Sequence, residues 1–255
     1  MSQKAERVLI TGASSGLGEA LARRYAAAGR MLVLWGRDQA RLDSVAEACR
    51  AVGAEVAVRS LDLEEIDAAI AALREDDEAG AIGTALFVAG QGDIRALGDA
   101  VEDPNQVKRL AMVNFVAPCA MATALGERMA TRRRGSIVLV GSAAAFHALP
   151  FAASYAASKA GLARFAEALR IGLAPHGVRV TLVSPGFIDT AAGRRVPGPK
   201  PLIMPAAVVA ARIAEAAGRG RPHLILPRPF GWLRVLDRIL PRTLRDRVLR
   251  GLAPR

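Results

Sequence analysis

The chain has 255 residues, 52% of them hydrophobic, which is enough for one α/β domain with a sizeable core. Its formal charge of +11 would suit nucleic acid or an acidic membrane, but the stretch from Arg219 to Arg255 holds ten arginines against Asp237 and Asp246 and so carries +8 of it. The nearly neutral body argues against a nucleic-acid partner, and Cys49 and Cys119, without a CxxC pair or a Cys/His cluster, signal neither metal binding nor a disulfide framework but two buried thiols in a reducing compartment.

The first residues pass from a few polar side chains straight into the apolar run RVLIT, leaving no room for a signal-peptide h-region and its cleavage site. No stretch holds the roughly 18 uninterrupted apolar residues of a membrane span. A cytoplasmic protein is expected, or one peripheral to the inner face of the membrane.

Directly after RVLIT comes TGASSGLG, Thr11 to Gly18, which opens the first helical pattern. Glycines at 12, 16 and 18 let the backbone turn tightly and approach a pyrophosphate, whose charge is then met by amides at the helix N-terminus. At a first strand-to-helix junction this spacing, GxxxGxG, reads as dinucleotide binding.

The second run, MLVLWG, ends where a dinucleotide fold reads the adenosine ribose, about 20 residues beyond the glycines. There Gly36 leaves space and Arg37 supplies a bidentate cation for a 2′-phosphate. Asp38, just before a helical pattern, is first of all an N-cap. The balance favours NADP over NAD. After the third run, AEVAVRS, Asp62 either accepts from the adenine amino group or caps the following helix.

The runs TALFVAG, SIVLVGS, VRVTLVS and HLILP bring the strands to about seven, alternating with amphipathic segments. Two of these segments, Pro104 to Thr131 and Ser154 to Ala174, are long helical patterns. The alternation predicts an α/β fold with a Rossmann-type, doubly wound parallel sheet in a single domain. No repeat, low-complexity tract or Gly/Ser linker marks a second one.

SYAASKAG, residues 154 to 161, places Lys159 four positions after Tyr155, on the same face of a helix. Only four of the 35 basic residues are lysines, so a lysine here is a choice. Arginine is always charged and fork-shaped, whereas lysine is compact and can relay protons. A nearby ammonium lowers a phenol's pKa from about 10, making Tyr155 a proton donor to a carbonyl or acceptor from an alcohol near neutral pH.

Taken in order and spacing, TGASSGLG, MVNFVAP, IVLVGSAAA, SYAASKAG and SPGFIDT resemble the short-chain dehydrogenase/reductase family over Val8 to about Pro227. The resemblance implies a catalytic tetrad of Asn114, Ser142, Tyr155 and Lys159. In it Tyr155 moves the proton, Ser142 bonds the substrate oxygen, Lys159 tunes the tyrosine and binds the nicotinamide ribose, and Asn114 holds a water that connects the lysine to solvent. It also implies a cofactor site drawn from Thr11, Gly12, Ser14, Ser15, Gly16, Leu17, Gly18, Arg37, Asp62, Ala89, Gly90, Asn114, Tyr155, Lys159, Pro185, Gly186, Ile188 and Thr190. Of these, Ile188 by backbone and Thr190 by hydroxyl would meet the carboxamide. One departure is FVAG, Phe87 to Gly90, where the family usually has NNAG and uses the asparagines to brace the sheet. His147 is either a pocket residue or an ordinary loop histidine. A homodimer or homotetramer and a small carbonyl or alcohol substrate are implied as well, with no metal.

Beyond the match lies a basic tail, so residues 1–227 read as the catalytic body and 228–255 as an appendage. Its apolar residues at 232, 233, 235, 236, 239 and 240 follow helical spacing, and Pro241 breaks the pattern before Leu244, Val248 and Leu249 resume it. Arg234, Arg238, Arg245 and Arg250 lie mainly off that face. Such helices either contact an anionic membrane, near a lipid-like substrate, or pack on the cleft or another subunit. The expected function is an NADP-dependent carbonyl reductase or alcohol dehydrogenase for an apolar substrate. The alternative is a nucleotide-sensing or membrane-adaptor protein whose tail is the working part.

Overall fold

The computed structural model describes residues 6–251 apart from Leu97 and Pro197. The side chains at 233, 234 and 236–238 are not described either, so the expectations for Leu233, Arg234, Leu236 and Arg238 lie outside the described residues.

Three βα units open the chain: β1 (Glu6–Thr11) and α1 (Gly16–Tyr25), β2 (Arg30–Gly36) and α2 (Gln39–Arg50), β3 (Glu55–Ser60) and α3 (Ile66–Ala79). Then come β4 (Ile82–Phe87), α4 (Pro104–Ala111), α5 (Ala117–Thr131), β5 (Gly135–Val140), α6 (Ala153–Leu173) and β6 (Val178–Pro185). A small insertion, β7 (Ile188–Asp189), α7 (Ala191–Arg195) and β8 (Met204–Pro205), precedes α8 (Ala206–Gly218) and β9 (His223–Leu226). All seven apolar runs are strands of one parallel sheet in the order β3-β2-β1-β4-β5-β6-β9. The insertion pairs β7 with β8 in a separate two-stranded sheet, which the sequence patterns do not announce.

The runs are continuous rather than alternating because both faces of the sheet are covered. Successive side chains point to opposite faces, so Val8, Ile10, Leu32 and Leu34 meet Leu21 of α1, Leu42 of α2 and Ile213 of α8. Leu9, Val33, Trp35, Phe87 and Leu139 meet Leu73 of α3, Met121 and Leu125 of α5, and Leu162 of α6. The direction of winding reverses between β1 and β4. In such sheets ligands bind outside the carboxyl ends of the strands at this point, and Thr11 and Phe87 mark it here.

The rod from Pro104 to Thr131 is long and apolar enough by composition to cross a membrane, but its buried residues, Met121, Leu125 and Met129, sit in the core against the sheet. Its regular winding is interrupted by a π-helical turn, Met112–Val116. Such turns are rare and favour functional positions; this one carries Asn114. At the far end of the rod, Arg128 and Arg132 donate to the buried Asp77 of α3, whose carboxylate also accepts from the Ile82 amide at the start of β4. After β9 the chain forms α9 (Phe230–Ile239) and α10 (Arg242–Gly251), separated at Pro241 as the pattern predicts.

Candidate active site

The glycine-rich turn lies at the reversal point. Gly12 has φ +69°, and a Cβ there would come within 2.8 Å of Ala89 Cα, so the turn and the end of β4 touch through a glycine alone. Ser15 stands at the N-cap of α1 in extended conformation and its hydroxyl caps nothing, which leaves the first amides of α1 for an anion. Leu17 is a core residue, so only its backbone faces this site. The side chain of Thr11 does not serve the site either. It is buried, and its hydroxyl accepts from the amides of Val88 and Ala89 at 3.0 and 3.1 Å. Thr11 thus supplies from β1 the bracing that FVAG lacks.

Next to the turn is the adenosine corner. Arg37 approaches Asp62 at 3.8 Å with both side chains largely exposed, a weak pair that leaves the guanidinium mobile. Asp38 is the N-cap of α2, accepting from the Arg41 amide at 3.1 Å. Asp62 is not a helix cap: α3 begins only at Ile66, and Asp62 instead holds a turn by accepting from the Glu64 amide. A cleft of about 240 Å³ is lined by Ser14, Ser15, Glu19, Arg41, Ser44 and Val45, with the Glu19 carboxylate paired to Arg23. Arg41 therefore joins Arg37 as a second cation here; its position one turn into α2, back toward the glycines, was the signal available in the sequence.

The four candidate catalytic residues converge from three elements. Ser142 ends the loop after β5, where its hydroxyl accepts from the Ala144 amide and bonds Tyr155. Tyr155 and Lys159 come from the first turns of α6. Lys159 is buried, its Nζ donating to the Val140 carbonyl at 3.0 Å. Asn114 is fully buried; its Oδ1 accepts from the Gln91 amide and its Nδ2 donates to the Gln91 carbonyl, each at 2.8 Å. Gly90 lies between them: a Cβ there would sit 3.0 Å from Asn114 Oδ1 and 3.2 Å from Lys159 Nζ. Asn114 and Lys159 can approach the chain this closely because residue 90 has no side chain.

Two supports were not read from the sequence. Gln91 is clamped through its backbone by Asn114 and through its side chain by Arg109, which also pairs with Asp93. Glu102 caps α6 from outside it, accepting from the Ser154 amide at 2.9 Å, where the helix has no side-chain cap of its own. Neither residue belongs to a recognisable motif; both act across loops.

The electrostatics differ from the expectation of a tyrosine lowered by its lysine. Burial raises the Tyr155 pKa above the usual phenol value, and the Ser142 hydrogen bond only partly opposes it. Lys159 is itself brought down to about 8 by burial. Desolvation is the leading cause for both groups, and neither shift owes anything to the other residue. Burial also raises the pKa of both thiols, that of Cys119 to about 12, although only Cys49 is fully buried and Cys119 is partly exposed, against the expectation of two buried thiols.

At the mouth, Phe146 of the turn after Ser142 meets the rings of His147 and His223 edge-on, at 6.5 and 6.4 Å. His147 is thus part of an aromatic wall beside Ser142. Pro185 ends β6, and Phe230, the first residue of α9, lies against Gly186, where a Cβ would meet its ring at 2.9 Å. Thr190 packs its methyl toward Gly16, while its hydroxyl caps α7 by accepting from Gly193 at 2.9 Å. Ile188 pairs with Met204. The described residues hold no group of three or more His, Cys, Asp or Glu suited to a metal. The free amides of α1, two arginines beside them, and a lysine bonded to the end of β5, at the same carboxyl side of the sheet, fit a dinucleotide with a polar ribose end.

A family model described as short chain dehydrogenase matches residues 6–198. An uncharacterized oxidoreductase of Myxococcus xanthus is 32% identical over 246 residues, 96% of each chain. The dehydrogenase/reductase SDR family member 7B of Bos taurus is 35% identical over 190 residues; the match takes in 72% of this chain and 58% of that one. Among solved structures, the bulky-bulky ketone specific alcohol dehydrogenase of Comamonas testosteroni superposes with a TM-score of 0.78 at 27% identity, covering 94% of this chain and 97% of the other. A short-chain dehydrogenase of Sphingobium yanoikuyae in complex with NADPH gives 0.78 at 28%, covering 93% and 97%.

Proposed function

The chain belongs to the short-chain dehydrogenase/reductase family, and from that premise we propose that it is an NADP-dependent carbonyl reductase interconverting an apolar, lipid-like ketone and its secondary alcohol. The observation that carries this reading is the convergence of a hydrogen bond between the partly exposed Tyr155 and the buried Ser142 with the buried Lys159, four residues along the same helix, at the carboxyl end of β5. The Comamonas neighbour, a ketone-specific alcohol dehydrogenase, supports the substrate class.

When bound, the nicotinamide supplies hydride to the carbonyl carbon. Tyr155 donates its proton to the carbonyl oxygen, and a phenol held above its usual pKa keeps that proton at neutral pH, which suits the reductive direction. Ser142 bonds the same oxygen as negative charge develops. Lys159, poised near pH 8, supplies the replacement proton, and Asn114, which a Cβ at Gly90 would crowd together with the lysine, would hold a water linking the lysine to solvent. The wall of Phe146, His147 and Phe230 favours an apolar substrate. Arg37 and Arg41 would meet the 2′-phosphate, and the amides at Ser14 to Gly18 would hold the pyrophosphate. The enzyme works in the cytoplasm as a homodimer or homotetramer, with residues 1–227 as body and 228–255 as tail.

The test is a panel of ketones and alcohols with NADPH, NADP, NADH and NAD, followed at the nicotinamide absorbance. Reduction of bulky ketones with NADPH is expected, and Arg37→Asp should move the preference toward NADH by at least about tenfold, since a carboxylate repels a phosphate bearing roughly two charges. Tighter binding of NAD by the unaltered protein would sink the cofactor assignment; no turnover with any pair would sink the activity.

A further inference from the structure

We propose that α9 and α10 form a docking surface for an anionic lipid bilayer. The observation is where this tail places its apolar side chains. Single exposed hydrophobic residues are ordinary on a protein surface, but here they are concentrated and aligned. Trp232, Val235 and Ile239 are 77%, 48% and 70% exposed, and their spacing puts them on one face of α9. Leu244 and Val248, one turn apart, are about half exposed on α10.

This stripe is not the outside of a loosely attached peptide. Phe230 sits against Gly186, Gly231 faces Ile225 of β9, and Leu249 is buried. The inward side chains hold the helices on the body and leave the outward ones presented to solvent, next to the wall of the cleft.

Charge selects the occupant. Residues 228–255 contain eight arginines, two aspartates, no lysine and no glutamate, a net charge of +6. A second copy docked face to face on a twofold axis would set that charge against itself. Nucleic acid would answer the arginines but leave the Val and Ile stripe in water. An anionic membrane surface answers both: headgroup phosphates meet the guanidinium groups, while the stripe and Trp232 enter the boundary with the acyl chains.

The experiment uses the full chain with phosphatidylcholine vesicles, with and without phosphatidylglycerol, in the absence of cofactor and substrate, so its result is independent of the proposed activity. Co-sedimentation is expected only with phosphatidylglycerol, weakening as salt is raised. The chain has two tryptophans, and Trp35 is buried in the core. A blue shift of emission on vesicle addition therefore reports Trp232 and should vanish in Trp232→Ser. The double variant Trp232→Ser with Ile239→Ser changes only exposed side chains; it should keep the wild-type circular dichroism spectrum and lose roughly tenfold or more in partitioning. The proposal is overturned by any of four results: no binding to phosphatidylglycerol vesicles, equal binding to pure phosphatidylcholine, undiminished binding of the folded double variant, or a stripe whose loss instead changes oligomeric state or DNA binding.

Discussion

At the scale of single residues the chemistry rests on burial. Removing only the transferable proton, Tyr155→Phe should leave cofactor affinity intact, measured by fluorescence titration, and lower turnover by about 10³-fold. Lys159 carries its proton below about pH 8 and loses it above. The kcat/KM for ketone reduction should therefore be level up to that pH and decline as the lysine empties, with the inflection near 8. Lys159→Arg, charged throughout, should abolish the inflection together with most of the rate; a variant with an unchanged profile would place the relay elsewhere. The grouping of Asn114, Ser142, Tyr155 and Lys159 was legible in the sequence because YxxxK and its companions are local patterns. The direction of the tyrosine's pKa was not, since desolvation depends on what the fold brings around the ring.

At the scale of elements, α6 must present Tyr155 and Lys159 at one fixed height against β5. Its N-terminus lacks a cap of its own and is held by Glu102 from the loop before α4. Glu102→Ala should cost about 1 kcal/mol in stability, as a lost N-cap does. Because the first turn of the helix would then fray beneath Tyr155, kcat should fall more than KM changes. Glu102→Gln, which keeps an accepting oxygen, should restore most of both; a loss confined to stability, with kcat unchanged, would show that the cap is only structural. Thr11 illustrates the same kind of link. Its threonine stands at the edge of a recognisable glycine motif, but its task is to hold the end of β4. That task becomes visible only when β1 and β4, 71 or more residues apart along the chain, are neighbours.

For the whole molecule, Asp77 joins α3, α5 and the entry to β4. Burial alone would raise its pKa, but the bonds from Arg132, Arg128 and the Ile82 amide more than offset that and hold it below the usual carboxylate value. A depressed carboxylate stabilises the fold fully above its unfolded pKa of about 3.9, and that stabilisation is lost as pH falls through the folded value. Asp77→Asn should lower stability by about 2–3 kcal/mol at neutral pH, with the gap to wild type closing below about pH 4, as read by urea unfolding at a series of pH values. The sequence by itself determined the seven parallel strands, the glycine turn at their head, the motifs that bring Ser142, Tyr155 and Lys159 together and the break at Pro241, because each is written in short-range periodicity or in residues whose chemistry is local. Only the tertiary structure decided the small β7–β8 sheet, the second cation at Arg41, the clamp on Gln91, the cap from Glu102 and the docking of Phe230 on Gly186. Each of these joins residues distant in the chain whose types are common everywhere, and what gives them a role is the contact, which no local pattern encodes.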